Sequence, residues 1–183
     1  MRKIIGFRVH LRPKEIARRI KKAGLDLEGL GLGEPELVKI IEESCAAAKP
    51  AVLFETFAHP DPDQTLLSPL PGLAYSLVVA TIGAGFTAAA HAELTPLLEQ
   101  ALLEECLHFA ASLIEEEAKK DSCELSPITT LTEPQALEAA LRKLEGSKIG
   151  VSFSEGKLVP AASRASTLSW LARSKAKAKQ FSK

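Results

Sequence analysis

The stretch from Tyr75 to Ile82 constrains the fold more than any other part of the chain. At its centre stands Leu77-Val78-Val79-Ala80. Successive side chains of a strand point to opposite faces, so this run is apolar on both. Such a segment, followed by Gly83 and Gly85, reads as an interior strand. The strongest helical signal comes soon after. Thr95-Pro96 has the form of a cap followed by proline at the first helical position. Leu98, Leu102, Cys106, Phe109, Leu113 and Ile114 then make an apolar stripe that carries one unbroken helix to Lys120.

The remaining elements are shorter. Lys3 to Val9 is β-branched and apolar and predicts a strand. A helix with Pro13 in its first turn and Ile16, Ile20 and Ala23 on one face stops at Gly24. A second helix is expected from Pro35 to Ala48, a strand from Ala51 to Phe57, and a short helix from Phe86 to Ala92. Thr132 with Gln135 has the capping-box pattern for a helix over Pro134 to Leu144. From Ile149 to Pro160 apolar and polar residues alternate around a turn at Gly156, as in a hairpin. The order is not a regular βαβ alternation. It predicts an α+β fold, a twisted, mainly antiparallel sheet flanked by helices.

A chain of 183 residues is expected to form one domain, taken here as residues 1–170, with a basic, frayed tail over 171–183. Formal net charge is zero, which does not favour nucleic acid, and Tyr75 and Trp170 are isolated aromatics, which argues against a stacking platform for single strands, so no nucleic-acid partner is expected. Basic residues gather at both ends, and a basic face would steer an acidic partner. No apolar run approaches the roughly 18 residues of a membrane span, and Arg8 follows too soon for a signal peptide. Cys45, Cys106 and Cys123 are odd in number and lack CxxC spacing, as expected for a reducing, cytoplasmic setting.

No set of residues assigns a catalytic or metal role. Gly83-Ala84-Gly85 follows a strand, but Ala88 stands where a dinucleotide motif has its third glycine. Amides ahead of Phe86 could cradle an anion, or the glycines serve a tight turn. Glu105-x-x-His108 is half of a di-metal motif and occurs once. Asp61 and Asp63, between prolines, are expected on an exposed turn with ordinary pKa values. Cys123 is expected near the surface. Ser154, Ser163, Ser166 and Ser169 lack a nucleophile-elbow context.

The string Ile149-Gly150-Val151-Ser152-Phe153-Ser154-Glu155-Gly156-Lys157-Leu158-Val159-Pro160, with Ser163 and Ser166 beyond it, resembles the closing segment of the stand-alone relatives of the activation domain of vitamin-B12-dependent methionine synthase. Ser126-Pro127 ahead of a helix with Pro134 and Gln135 resembles that family too, as do the strand end from Val78 to Gly83 and the long helix after Thr95. The resemblance spans about residues 70 to 170. It implies an activation-domain-like α+β fold. It also implies an accessory role in a corrinoid-dependent methyltransferase system, with S-adenosylmethionine or a corrinoid held by a partner protein as cofactor.

Gly83, Gly85, Ser126, Pro127 and Thr129 are the positions it points to for cofactor contact. The family's Arg-x-x-Pro-Gly-Tyr motif, aligned on Pro127, meets Glu124, Ile128 and Thr129 at its Arg, Gly and Tyr positions. Glu124 would repel a ligand carboxylate, and Ile128 would keep backbone away from ligand. Contacts worth about 1–2 kcal/mol each are lost, which predicts weak or no S-adenosylmethionine binding. Two other readings stand beside this one. One is a diverged small-molecule binder or enzyme using a cleft near residues 83–85 and 126–130. The other is a scaffold of this fold without chemistry.

Overall fold

The apolar run at residues 75–82 becomes a strand buried between neighbours on both sides. In the computed structural model, residues 1–68, 70–86 and 91–173 are described. The chain runs β1 (Arg2–Ile5), α1 (Pro13–Lys22), α2 (Glu34–Ala47), β2 (Ala51–Ala58), α3 (Gln64–Leu67) and β3 (Ala74–Thr81). It continues with α4 (Thr95–Lys120), β4 (Cys123–Leu125), β5 (Thr129–Thr130), α5 (Pro134–Leu144), β6 (Ser152–Ser154), β7 (Lys157–Val159) and β8 (Ser163–Ala172). Among the described residues, six strands form one antiparallel sheet in the order β1-β2-β3-β8-β4, with β5 also pairing β8. The other two, β6 and β7, form a hairpin whose two-residue loop, Glu155-Gly156, has φ of 51° and 79°. Positive φ at both loop positions matches the twist of the flanking strands.

The period of two along the strands divides the core. Val52, Phe54, Val78, Ala80, Leu168 and Trp170 point to one face and pack under α4 with Leu102, Cys106, Ala110 and Ile114. Leu53, Tyr75, Leu77, Val79 and Ala165 point to the other and pack on α5 through Leu137, Ala140, Leu141 and Leu144. Each fully buried Leu or Val is worth about 1.5–3 kcal/mol relative to exposure, so the two layers hold the sheet from both sides. A third cluster joins α1 and α2 to the start of α4 through Ile16, Ile20, Leu37, Ile41, Leu94 and Leu98.

Several local expectations are corrected. The first strand stops at Ile5, because Gly6 turns at φ 67° and its N–H donates to the Pro50 carbonyl at 2.9 Å. Thr95 is the first residue of α4 rather than its cap, because a 3-10 turn over Ala92–Leu94 leads straight into the helix. Glu133, not Thr132, precedes α5, and no side-chain cap bond forms there. Of the short helix expected at Phe86 to Ala92, residues 87–90 lie outside the described residues. So does 174–183 of the expected tail, whereas Leu171 and Ala172 pair with Glu124 and Cys123 in the sheet.

The largest addition is β8. It runs from Ser163 to Ala172, pairs with β3 over Ser163 to Trp170 and is buried from Ala165 to Trp170. Ser163 and Ser169 use their hydroxyls in hydrogen bonds to distant parts of the chain, whereas Ser166 Oγ and Thr167 Oγ1 are buried without a hydrogen-bond partner among the described residues. Ser169 Oγ shares a 2.9 Å hydrogen bond with Ser68 Oγ and donates to the Leu70 carbonyl at 3.0 Å. The Trp170 indole N–H donates to Ser76 Oγ at 2.8 Å, and Ser76 Oγ shares a 2.7 Å bond with Thr56 Oγ1. No helix is long and apolar enough to cross a membrane among the described residues.

Candidate functional site

The segment that follows β4 is fixed by one serine. Ser126 is buried; its N–H donates to the Ser169 carbonyl and its Oγ accepts the Ser169 N–H, both at 2.9 Å. This two-way clamp commits the hydroxyl to β8 and leaves Pro127 exposed and Ile128 half-buried beyond it. Both line a groove of about 950 Å³ between α4 and the β4–β5–β8 edge. From α4 come Glu104, Leu107, His108 and Glu115, and from the strands come Glu124, Thr130, Arg164, Leu168 and Arg173. Thr129 is exposed and pairs with Thr167 in the sheet.

Most of the acids in this groove face a cation. Glu104 Oε2 accepts from Arg19 Nη1 at 2.6 Å, Glu115 lies 2.9 Å from Lys119 Nζ, and Glu124 lies 3.6 Å from Arg173 Nε. Burial would raise the Glu104 carboxyl, but hydrogen bonds from Arg19 and Gln100, with the charges of Arg19 and Arg164, hold it below its ordinary value. Arg173 therefore brings a guanidinium beside the Glu124 carboxylate, a contact across the sheet that sequence spacing does not reveal.

Gly83 and Gly85 lie elsewhere. Thr81, two residues before Gly83, pairs with Ser163, whereas Thr129 pairs with Thr167. The two pairings are therefore four residue steps apart along β8. At the rise of an extended strand that is a separation of roughly 13 Å. The groove lining includes Ser126 and Pro127 and neither glycine. Gly83 (φ 90°) and Gly85 (φ 74°) both occupy the left-handed region, where glycine bears no steric penalty. The Gly83 N–H donates to Thr81 Oγ1 at 3.1 Å.

A second cavity, of about 860 Å³, opens between residues 5–11 and α2. Apolar side chains line most of it, among them Phe7, Leu11, Val38 and Ile41, with Arg8, His10, Glu42 and Lys49 as its charged or ionisable members. Cys45 is half-buried within it, and burial pushes its thiol up. Cys106 is fully buried, and burial pushes that thiol up to about 12.

Three expectations about single residues are overturned. Asp61 is not on an open turn: its carboxylate accepts from Lys143 Nζ at 2.8 and 3.0 Å, from Tyr75 Oη at 2.9 Å and from the Asp63 N–H at 3.0 Å. Burial would raise its pKa, but the bonds from Lys143 and Tyr75 outweigh that and hold it below the ordinary value. Neither is Tyr75 isolated, since it stacks with Phe57 and His59 at centroid distances of 5.4 and 5.6 Å. Cys123 is buried rather than near the surface, because β4 joins the sheet beneath the end of α4. His108 lines the groove on α4, and among the described residues no group of three or more His, Cys, Asp or Glu could hold a metal ion.

Comparison with protein-family models yields no match, and comparison with curated proteins yields none.

Proposed function

We propose that this chain is an accessory protein of a corrinoid-dependent methyltransferase system, and that the groove beside α4 meets the corrinoid-carrying partner. The antiparallel sheet flanked by helices agrees with the layout implied by the resemblance to methionine synthase activation domains. One observation carries the functional reading. The segment bearing the Ser-Pro of that resemblance forms a wall of the groove, held by the Ser126–Ser169 clamp, with Pro127 exposed and Ile128 half-buried in its lining. Docking is favoured over chemistry because Glu104, the groove carboxylate whose pKa is held below its ordinary value, is already engaged by Arg19. A carboxylate held by a cation has its charged form stabilised and is a poor proton shuttle at neutral pH.

A protein that caps a corrinoid gains contacts only when the corrinoid is present. The test is therefore the affinity for a corrinoid-loaded partner against the same partner without it, in wild type and Ile128→Glu. Tighter binding of the loaded form, lost in the variant, is expected; equal affinity for both forms overturns the reading. S-adenosylmethionine should bind weakly or not at all by calorimetric titration, because Ile128 and Glu124 occupy the motif and Ser126 Oγ is committed. A micromolar dissociation constant would instead assign the groove to the methyl donor. Steering by the basic face is tested with Arg18 and Lys22, which are exposed, rather than Arg19, which holds Glu104. Reversal of both to glutamate should slow association, most visibly at low salt.

A further inference from the structure

We propose that the cavity between residues 5–11 and α2 is a binding site for a small amphiphilic carboxylate, with the hydrocarbon tail on its apolar wall and the head group at Arg8 and Lys49. The inference is independent of the corrinoid reading and concerns a separate cavity, beside the Thr81 end of β3. The cavity holds about 860 Å³. That volume is typical of small-molecule sites, which are mostly apolar with few polar groups. Its apolar surface is not closed off by the fold. Ile5 at its mouth is 63% exposed, and Phe7, Leu11 and Val38 are only half-buried. Water therefore contacts aliphatic and aromatic surface that a hydrocarbon chain would cover.

The charge of the rim selects the head group. Arg8 and Lys49 are exposed, and neither has an ion-pair partner within 4 Å among the described residues. Arg2, Arg19, Lys143 and Arg173 do have such partners. Glu42 is the acid of the lining. Two unpaired cations at one apolar cavity complement an anion with an apolar body.

Lys49 also starts from a fixed point. Its N–H donates to the Ile82 carbonyl at 2.9 Å, and its stem lies against Gly83, where a Cβ would come 3.1 Å from Lys49 Cβ. Gly83 thus leaves room for the lysine stem, a use of that glycine that a nucleotide-loop reading does not contain.

Cys45 supplies a reporter, because it lines the cavity and is half-buried, whereas Cys106 and Cys123 are buried. The full chain is titrated with dodecanoate, dodecanol or dodecyltrimethylammonium below their micellar range. N-ethylmaleimide modification of Cys45 and calorimetric heats are followed in parallel. Dodecanoate should slow modification and bind saturably, and the quaternary ammonium of equal chain length should do neither. Lys49→Glu combined with Arg8→Glu should weaken dodecanoate binding by about tenfold or more through charge reversal. Ala46→Trp, at an exposed lining position on α2, should block binding while circular dichroism shows the fold retained. Equal binding of all three amphiphiles, or no heat and no protection with dodecanoate, overturns the proposal. Charge-dependent sedimentation with anionic phospholipid vesicles, without binding of free dodecanoate, also overturns it and assigns the surface to a membrane.

Discussion

The two ends of the β3 strand treat charge in opposite ways. At the Tyr75 end, Asp61 and Lys143 are largely buried, with side chains 13% and 16% exposed, and are bonded to each other and to Tyr75. At the Thr81 end, Lys49 and Arg8 stand exposed beside an apolar cavity, without an ion-pair partner among the described residues. The same residue type, lysine, therefore has two physical meanings at the two ends of one strand. A buried lysine that has lost its water must be held by a carboxylate, whereas an exposed one keeps its hydration and is available to a ligand. Charge pairing, more than charge itself, separates the residues that hold the fold from those that face outward.

The strongest way to break this comparison is Lys143→Met. It leaves Asp61 with Tyr75 and one backbone N–H but without its cation. Removing one partner of a buried pair costs about 3–5 kcal/mol. Because both side chains keep some water contact, about 3 kcal/mol is expected, or a fall in Tm of roughly 6–12 °C. A loss under about 0.5 kcal/mol in denaturant unfolding would mean that the pair behaves as ordinary surface.

The same carboxylate fixes a pH window. Its folded pKa is depressed below the ordinary value of 3.8, so the unfolded chain takes up the proton first as pH falls. The Asp61 contribution is fully present above about pH 4 and is lost as pH falls through the lower, folded pKa. Asp61→Asn should flatten that part of the stability-against-pH curve. Between about pH 6 and 8 the variant's curve should stay parallel to wild type, because the carboxylate is ionised in both states there. An unchanged acid limb would remove Asp61 as its source.

A smaller effect is expected at the hydroxyl seam that ties the groove wall to β8. Ser126→Ala leaves the buried Ser169 N–H without its acceptor, which costs about 1–3 kcal/mol. Hydrogen exchange at the Ser169 amide should rise with that loss. An unprotected Ser169 amide in the wild type would dispose of the clamp, and with it the hold on the wall that bears Pro127 and Ile128.

These contrasts also show which parts of the fold can be read from the chain. The interior strand at 75–82, the helix over 96–120 and the helix over 134–144 are legible because apolar residues recur with the period of their element. Strand β8 is not, since Ser166, Thr167 and Ser169 carry a polar signature although all three are buried. Ser169 finds its partners, Ser68 and Ser126, far away in sequence, and Ser166 and Thr167 are buried with no hydrogen-bond partner for their hydroxyls among the described residues. Asp61 is hidden for the same reason: Lys143 is 82 residues distant, and the prolines around the aspartates look like solvent-exposed turn. The groove is partly legible through Ser126 and Pro127. Its cations are not, because Arg164 and Arg173 reach it only through the pairing of β8.

The last prediction is the counterpart of the first and has the smallest effect. Lys49→Ala removes an exposed ammonium that pairs with no carboxylate among the described residues. Its stability cost should stay within about 0.5 kcal/mol. The backbone N–H to the Ile82 carbonyl survives the substitution, and the freed space beside Gly83 lies at the surface. Gly83→Ala forms the matched control. It places a Cβ at φ 90° and 3.1 Å from the Lys49 stem. The backbone cost of that conformation is about 1–2 kcal/mol. In denaturant unfolding Lys49→Ala should overlay wild type, while its titration with dodecanoate should be displaced to higher concentration. A stability loss comparable to that of Lys143→Met would show that Lys49 holds the fold as well, and the distinction between the two ends of β3 would collapse.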